Sequence, residues 1–210
     1  MPESIARQVQ TVLRLRDGDR LVLLQGDGTE AECLLTKGRC EVMDRRTPAT
    51  EPKHRLTAVQ ALLKGDGLDE VIRHATEVGV AGFQLVVTER CVAREISARR
   101  LERLRAIARE SAEQSERAIV PWVAPPVPLE SVLEAGAVLL AERTASIRLA
   151  QVPPPSAIIV GPEGGWTPRE LQAARDTDVT LASLGARILR SRTVASVAAG
   201  VILSRTGDFA

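Results

Sequence analysis

Tyrosine is absent from the chain, and aromatic residues make up only 2% of it. That scarcity argues against an RNA platform built from stacked aromatic side chains. Cysteine is rare and odd in number, with Cys33, Cys40 and Cys91 showing no CxxC spacing. These three read as reduced thiols of a cytoplasmic protein, not as a disulfide frame or a zinc site. His54 and His74 are the only histidines, which leaves too little for a Cys/His metal cluster or a histidine-based triad, so no metal is expected. No run of about 18 uncharged apolar residues occurs, which argues against a membrane span. Met1 to Gln10 lacks a basic segment followed by an apolar one, so no secretory signal is expected. Lysine is nearly missing too: Lys37, Lys53 and Lys64 are the only ones. The formal net charge is +1, and nothing in that sum favours nucleic acid. The positive charge is almost all arginine, which suits bidentate phosphate contacts but also follows from a biased genome composition.

What is present is a globular composition. Over 210 residues, 44% are apolar and 26% charged, enough for a small module joined to a medium domain. From Val9 to Glu41 the pattern is of short strands and turns. Val12 to Leu15, Leu21 to Leu24 and Ala31 to Leu35 are strand-like, separated by Asp17-Gly18-Asp19 and Gly26-Asp27-Gly28. Arg45 to Pro52 is polar and punctuated by proline, and reads as a linker. A first domain at 1–50 and a second at 54–210 follow.

After the linker, strands alternate with helices. Leu56 to Leu63 is strand-like, and Asp66 opens a helix that runs to Val78 and ends at Gly79. Gly82 to Val87 is a strand, and a long helix spans Ser97 to Glu116 with Leu101, Leu104, Ile107, Ala108 and Ser111 on one face. Val138 to Ala141 and Ala157 to Val160 read as buried strands. Thr167-Pro168-Arg169-Glu170 has the form of a capping box with proline at the first helical position. Val179 to Leu184 is a strand, followed by a helix rich in small residues from Thr193 to Ser204. This alternation predicts an α/β domain with a mostly parallel sheet.

Two segments can carry chemistry. In the first, strand Ala157 to Val160 runs into Gly161-Pro162-Glu163-Gly164-Gly165 and then into a helix. Ligands of open α/β sheets sit beyond the carboxyl ends of strands, and glycines expose backbone N–H groups there. The same loop also reads as a tight strand-to-helix turn. It matches neither GxGxxG nor GxxxxGK[ST], which disfavours dinucleotide and P-loop readings. In the second, Leu184-Gly185-Ala186-Arg187-Ile188-Leu189-Arg190 leads to a helix capped near Thr193. Leu184, Ile188 and Leu189 offer the apolar slot that an adenine ring needs, with backbone donors beside it. Taken alone, this segment also reads as a basic surface loop.

Together the two segments resemble the SPOUT methyltransferases, and more closely the RsmE family. Ala75-Thr76-Glu77-Val78-Gly79-Val80, Glu89-Arg90-Cys91 and Ala108 to Arg117 support the closer match, and Val12 to Asp19 resembles that family's PUA-like domain. The resemblance implies S-adenosylmethionine-dependent methylation of N3 of a uridine in 16S ribosomal RNA, with the small ribosomal subunit as partner. It also implies a trefoil knot in the second domain and a homodimer. A small PUA-like β-barrel would precede the knotted domain; the family's further strand ahead of Ala6 is not found, so that module is expected to be incomplete at its N-terminus unless the true start lies upstream. Carried over, the cofactor residues are Leu140, Ala141, Glu142, Gly161 to Gly165, Leu184, Gly185, Ile188, Leu189, Arg190 and Thr193. His74 stands where the family commonly has lysine.

Uridine N3 must lose its proton before it can accept a methyl group, so a base or an anion-stabilising cation is needed. Glu163, Arg190 and Arg192 are the candidates. Glu163 alternatively holds its own loop, and the two arginines alternatively grip phosphate or lie on the plain surface. Arg14, Arg90, Arg94, Arg99, Arg103 and Arg117 are candidate RNA contacts, with Arg99 and Arg103 forming an exposed helical stripe. Three rival readings stay open: a SPOUT enzyme acting on another RNA site, a non-catalytic RNA-binding or ribosome-assembly protein, and a small-molecule enzyme.

Overall fold

The computed structural model describes Val9, Thr11, and residues 13–140 and 145–209. The chain forms two compact units, Met1–Glu51 with Glu116–Ile119, and Pro52–Ser115 with Val120–Ala210.

In the first unit, strands β1 (Arg20–Leu24), β2 (Glu30–Thr36) and β3 (Arg39–Arg46) form an antiparallel sheet in that order. Ala31, Cys33 and Leu35 alternate inward on β2 and are buried, as a half-buried strand requires. Lys37 and Gly38 join β2 to β3 with φ of 49° and 71°, the two positive values of a tight hairpin turn. Two expectations change here. Leu13 to Leu15 is not a strand, and Arg14 takes a left-handed φ of 55°. The segment read as a linker begins inside β3, whose side chains are largely exposed, so its polar sequence carried no burial signal. The short return Glu116–Ile119 adds a hydrogen bond from Gly28 N–H to the Ala118 carbonyl, 3.0 Å. Arg117 in that return is only 4% exposed and is paired with Glu51 at 2.7 Å.

Among the described residues, the second unit is built on a parallel sheet of seven strands. In chain order they are β4 (Thr57–Ala61), β5 (Gly82–Val87), β6 (Trp122–Pro128), β7 (Ala137–Leu140), β8 (Ile147–Arg148), β9 (Ala157–Val160) and β10 (Thr180–Ser183). Across the sheet the order is β6-β5-β4-β9-β7-β10-β8. All four residues of both β7 and β9 are buried, as expected for central parallel strands covered on both faces. Strand β6, which the sequence did not announce, contains three prolines and lies at an edge, where missing N–H donors are tolerated.

Among the described residues, four α-helices cover this sheet: α1 (Gly67–Val78), α2 (Ala98–Gln114), α3 (Pro168–Asp176) and α4 (Ser191–Arg205). Gly79 ends α1 with φ 110°, the left-handed cap that glycine adopts without strain. Ser97 caps α2 by accepting from Arg100 N–H. Helix α4 begins at Ser191 with Arg190 as its cap residue, two residues earlier than the start at Thr193 that the sequence suggested.

Helix α1 packs against both α2 and α4. Between α1 and α2, the buried Asp69 carboxylate meets Arg100 at 2.6 Å and Arg103 at 2.7 Å. Asp69→Ala leaves two guanidinium groups facing each other, though both can turn partly to water. We expect a loss of about 2 kcal/mol, read in thermal unfolding as a fall of roughly 4–8 °C. An unchanged melting temperature would show the pair to be neutral.

Candidate active site

Strands β9, β7 and β10 are neighbours, and Leu140 pairs with Val160 on one side and Ala182 on the other. Their carboxyl ends therefore lie level, and the loops that leave them converge. Trp166 organises this point. Its indole N–H donates to the Leu140 carbonyl at 3.0 Å, and the ring is 7% exposed. It lies so close to Gly161 that a Cβ there would come within 2.9 Å of the ring. Glycine at the end of β9 is thus required by the tryptophan five residues later.

The Gly161 to Gly165 loop is pinned from outside as well. Glu163 accepts from the backbone N–H of Lys64 at 3.1 Å, which ties it to the loop after β4. Arg90 donates to the Gly164 carbonyl at 2.9 Å, which ties it to the loop after β5. Within the loop, Gly165 N–H closes a turn onto Pro162 at 3.0 Å. The capping box forms as the sequence predicts: Thr167 accepts from Glu170 N–H at 3.2 Å, and Glu170 accepts from Thr167 N–H at 2.8 Å. The second carboxylate oxygen of Glu170 accepts from Glu89 N–H at 2.8 Å. One buried glutamate thereby fixes the start of α3 and the loop after β5.

A cavity of about 190 Å³ opens between these loops. Of the predicted residues, Leu140, Gly161 to Gly165, Leu184, Gly185, Ile188 and Leu189 line it. Ala141 and Glu142 lie outside the described residues. Arg190 and Thr193 do not line the cavity; with the helix starting at Ser191, it is Ser191 and Val194, three apart on one face, that do. Val160, Trp166 and Arg187 complete the wall without having been singled out by the sequence. A tryptophan directly after the glycine run was the available signal.

The chemistry of this wall suits a nucleoside. Its sides are aliphatic. The amides of Gly185 to Leu189 donate to no protein acceptor among the described residues. Gly185 has φ 127°, and a Cβ there would meet nothing within 4 Å, so the backbone is open to a close ligand. Among the described residues no group of three His, Cys, Asp or Glu side chains could hold a metal ion. Nor is any described helix long and apolar enough to cross a membrane.

The other predicted residues are scattered. Arg192 is paired with Glu70 at 2.6 Å, and Arg190 is exposed at the cap of α4. Arg94 donates to the Thr88 and Glu89 carbonyls at 2.8 and 2.7 Å. Arg103 is ion-paired with Asp69, although its side chain is still 61% exposed. Arg99 and Arg14 are exposed. Arg117 is buried in its pair with Glu51, which removes it from the RNA contacts. His74 is exposed on α1.

A family model for an RNA methyltransferase domain matches residues 50–203. The ribosomal RNA small subunit methyltransferase E of Synechocystis sp. is 36% identical over 205 residues, which cover 90% of this chain and 67% of the relative. The chain belongs to the ribosomal RNA small subunit methyltransferase E family. The Mycobacterium bovis member of this family is also 36% identical, over 213 residues covering 91% of this chain and 80% of its own. Among solved structures, the Neisseria gonorrhoeae methyltransferase E bound to S-adenosyl methionine superposes with a TM-score of 0.88 at 30% identity, covering 98% of this chain and 90% of that one. A Legionella pneumophila methyltransferase in complex with the same cofactor superposes with a TM-score of 0.86 at 25% identity, over 98% and 90% of the two chains.

Proposed function

We propose that this chain transfers a methyl group from S-adenosylmethionine to N3 of a uridine in 16S ribosomal RNA. The carrying observation is the cavity at the level ends of β9, β7 and β10, in a chain 30% identical to a family member crystallised with that cofactor. The aliphatic side chains of Leu140, Val160, Leu184, Leu189 and Val194 would hold the adenine ring, and the amides of the Gly185 to Leu189 loop would meet its polar edge. Bound there, the cofactor supplies a methyl group already activated by the positive charge on sulfur. The protein's task is then alignment. Trp166 sets the spacing of two loops. Glu163, engaged with Lys64, and Arg90, engaged with Gly164, hold the third side rigid. Glu163 in this geometry serves position and not proton removal.

The exposed Arg14, Arg99 and Arg190 would supply phosphate contacts, which position an RNA without reading its sequence. The order β9-β7-β10-β8 requires the chain to leave β7, cross beyond β10 to β8 and return to β9 before entering β10. That path supports a trefoil knot. The antiparallel sheet of the first unit supports a PUA-like RNA-binding domain. Helix α4 carries apolar and small residues on all sides, with Thr193 and Val197 exposed, which supports burial of its outer face in a homodimer. A monomeric mass in equilibrium sedimentation would count against the dimer. The cytoplasm is the compartment that holds the substrate.

The test of function joins two measurements. Calorimetry should show S-adenosylmethionine binding, and mass mapping of ribosomal RNA from a deletion strain should show loss of one N3-methyluridine that this chain restores. A methyluridine retained in the deletion strain would sink the substrate assignment.

A further inference from the structure

The cavity wall contains one charged group that none of the loop contacts engages. Of the described residues that line it, only Glu163 and Arg187 are charged. Glu163 is engaged with Lys64. Arg187 is exposed and has no ion-pair partner among the described residues. Its neighbour Ile188 also lines the cavity, yet is 78% exposed. An aliphatic side chain held in water beside a charged fork, at the solvent edge of a nucleoside-sized cavity, is suited to a second flat ring with polar edges.

We propose that Arg187 is a catalytic residue that binds the target uracil, its guanidinium donating to a ring carbonyl oxygen while Ile188 packs on the ring face. This rests on the methyltransferase reading above. The chemistry follows from where charge develops. Uracil N3 gives its proton to solvent, and the negative charge spreads onto the two flanking carbonyl oxygens. The N3 lone pair then forms the bond to the methyl carbon, and the pair of the broken carbon–sulfur bond stays on sulfur. A guanidinium fork at a carbonyl oxygen favours the deprotonated ring, because a hydrogen bond from a cation strengthens as the oxygen becomes anionic. No protein base is then needed, only enough hydroxide in solution to remove a proton whose acidity Arg187 has raised.

Other charged groups border the site. Lys64 and Arg90 stand on the loops after β4 and β5, and Arg190 on the loop after β10; all three favour the anion. Glu163 on the loop after β9 opposes it. Glu142 and Arg143 lie outside the described residues. Arg187 is the only cation among the described residues that line the cavity itself.

The test uses the full chain, saturating cofactor and small ribosomal subunits that lack the methyl group. Arg187→Ala should bind S-adenosylmethionine within about twofold of the parent, while single-turnover methylation at pH 7 falls about tenfold. The pH of half-maximal rate should rise by about one unit, the shift expected when one nearby charge is lost. Arg187→Lys should recover most of that midpoint. Weakened cofactor binding with an unmoved midpoint would overturn the proposal, by placing Arg187 on the carboxylate of the methyl donor. An equal loss at every pH, relieved by more subunits, would overturn it in favour of a phosphate contact. A parent chain that binds no cofactor would sink the functional reading itself, and this inference with it.

Discussion

Gly164→Val is expected to weaken S-adenosylmethionine binding by a factor on the order of a hundred or more, about 3 kcal/mol, while leaving the protein folded. Gly164 lies on the exposed side of its loop, so no core packing is disturbed. A Cβ at this position would stand 3.0 Å from the Arg90 Cβ and 3.3 Å from the Arg90 carbonyl oxygen. Neither of those atoms is the far end of a flexible side chain. The loop must therefore move away from the loop after β5 by a few tenths of an ångström, straining the bond from Arg90 to the Gly164 carbonyl. Because the loop forms one wall of the cavity, a shift of a few tenths of an ångström is felt directly in the fit of a ligand. Calorimetry with the cofactor and far-ultraviolet circular dichroism separate the two effects. Undiminished affinity would show that the loop does not touch the cofactor.

How much of this was legible in the sequence depends on which physical signal each residue carries. Strands such as Gly82–Val87 and Ala157–Val160 are apolar runs bounded by turn residues, and they lie where those runs predict. The capping box of α3 and the glycine stop of α1 are local chemistry, and local chemistry survives folding. Strand β6 was hidden because its prolines speak against a strand, and only its place at the sheet edge makes them harmless. Strand β8, two residues long, has no period at all. Strand β3 lay partly in a stretch whose exposed polar residues resemble a linker. The site divides in the same way. Its glycine loops were visible as motifs, whereas Arg117 and Arg103 looked like free surface charge until tertiary pairing placed them on Glu51 and Asp69. Sequence shows that a side chain is charged; it does not show which partner has already claimed that charge.

Trp166 is the residue whose role was least visible from spacing and is largest in structure. Three features meet on it: the carbonyl at the end of β7, the glycine at the end of β9, and the cavity wall. Trp166→Ala should cost about 3–5 kcal/mol, the usual range for removing a large buried aromatic ring. It should abolish cofactor binding even at temperatures where the chain is still folded, because the two loops lose the body that spaces them. Trp166→Phe separates these contributions. The phenyl ring keeps the site apolar but lacks part of the indole edge that faces Gly161 and cannot donate to the Leu140 carbonyl, so stability should fall by about 1–3 kcal/mol. The orphaned carbonyl lies at the cavity, and cofactor affinity should fall more than stability does. Denaturant titration and calorimetry on the same two variants measure both quantities. Should Trp166→Phe lose stability and affinity in equal proportion, the indole hydrogen bond would be a packing detail. A disproportionate loss of affinity instead makes it the link through which the end of one strand sets the geometry of a loop on its neighbour.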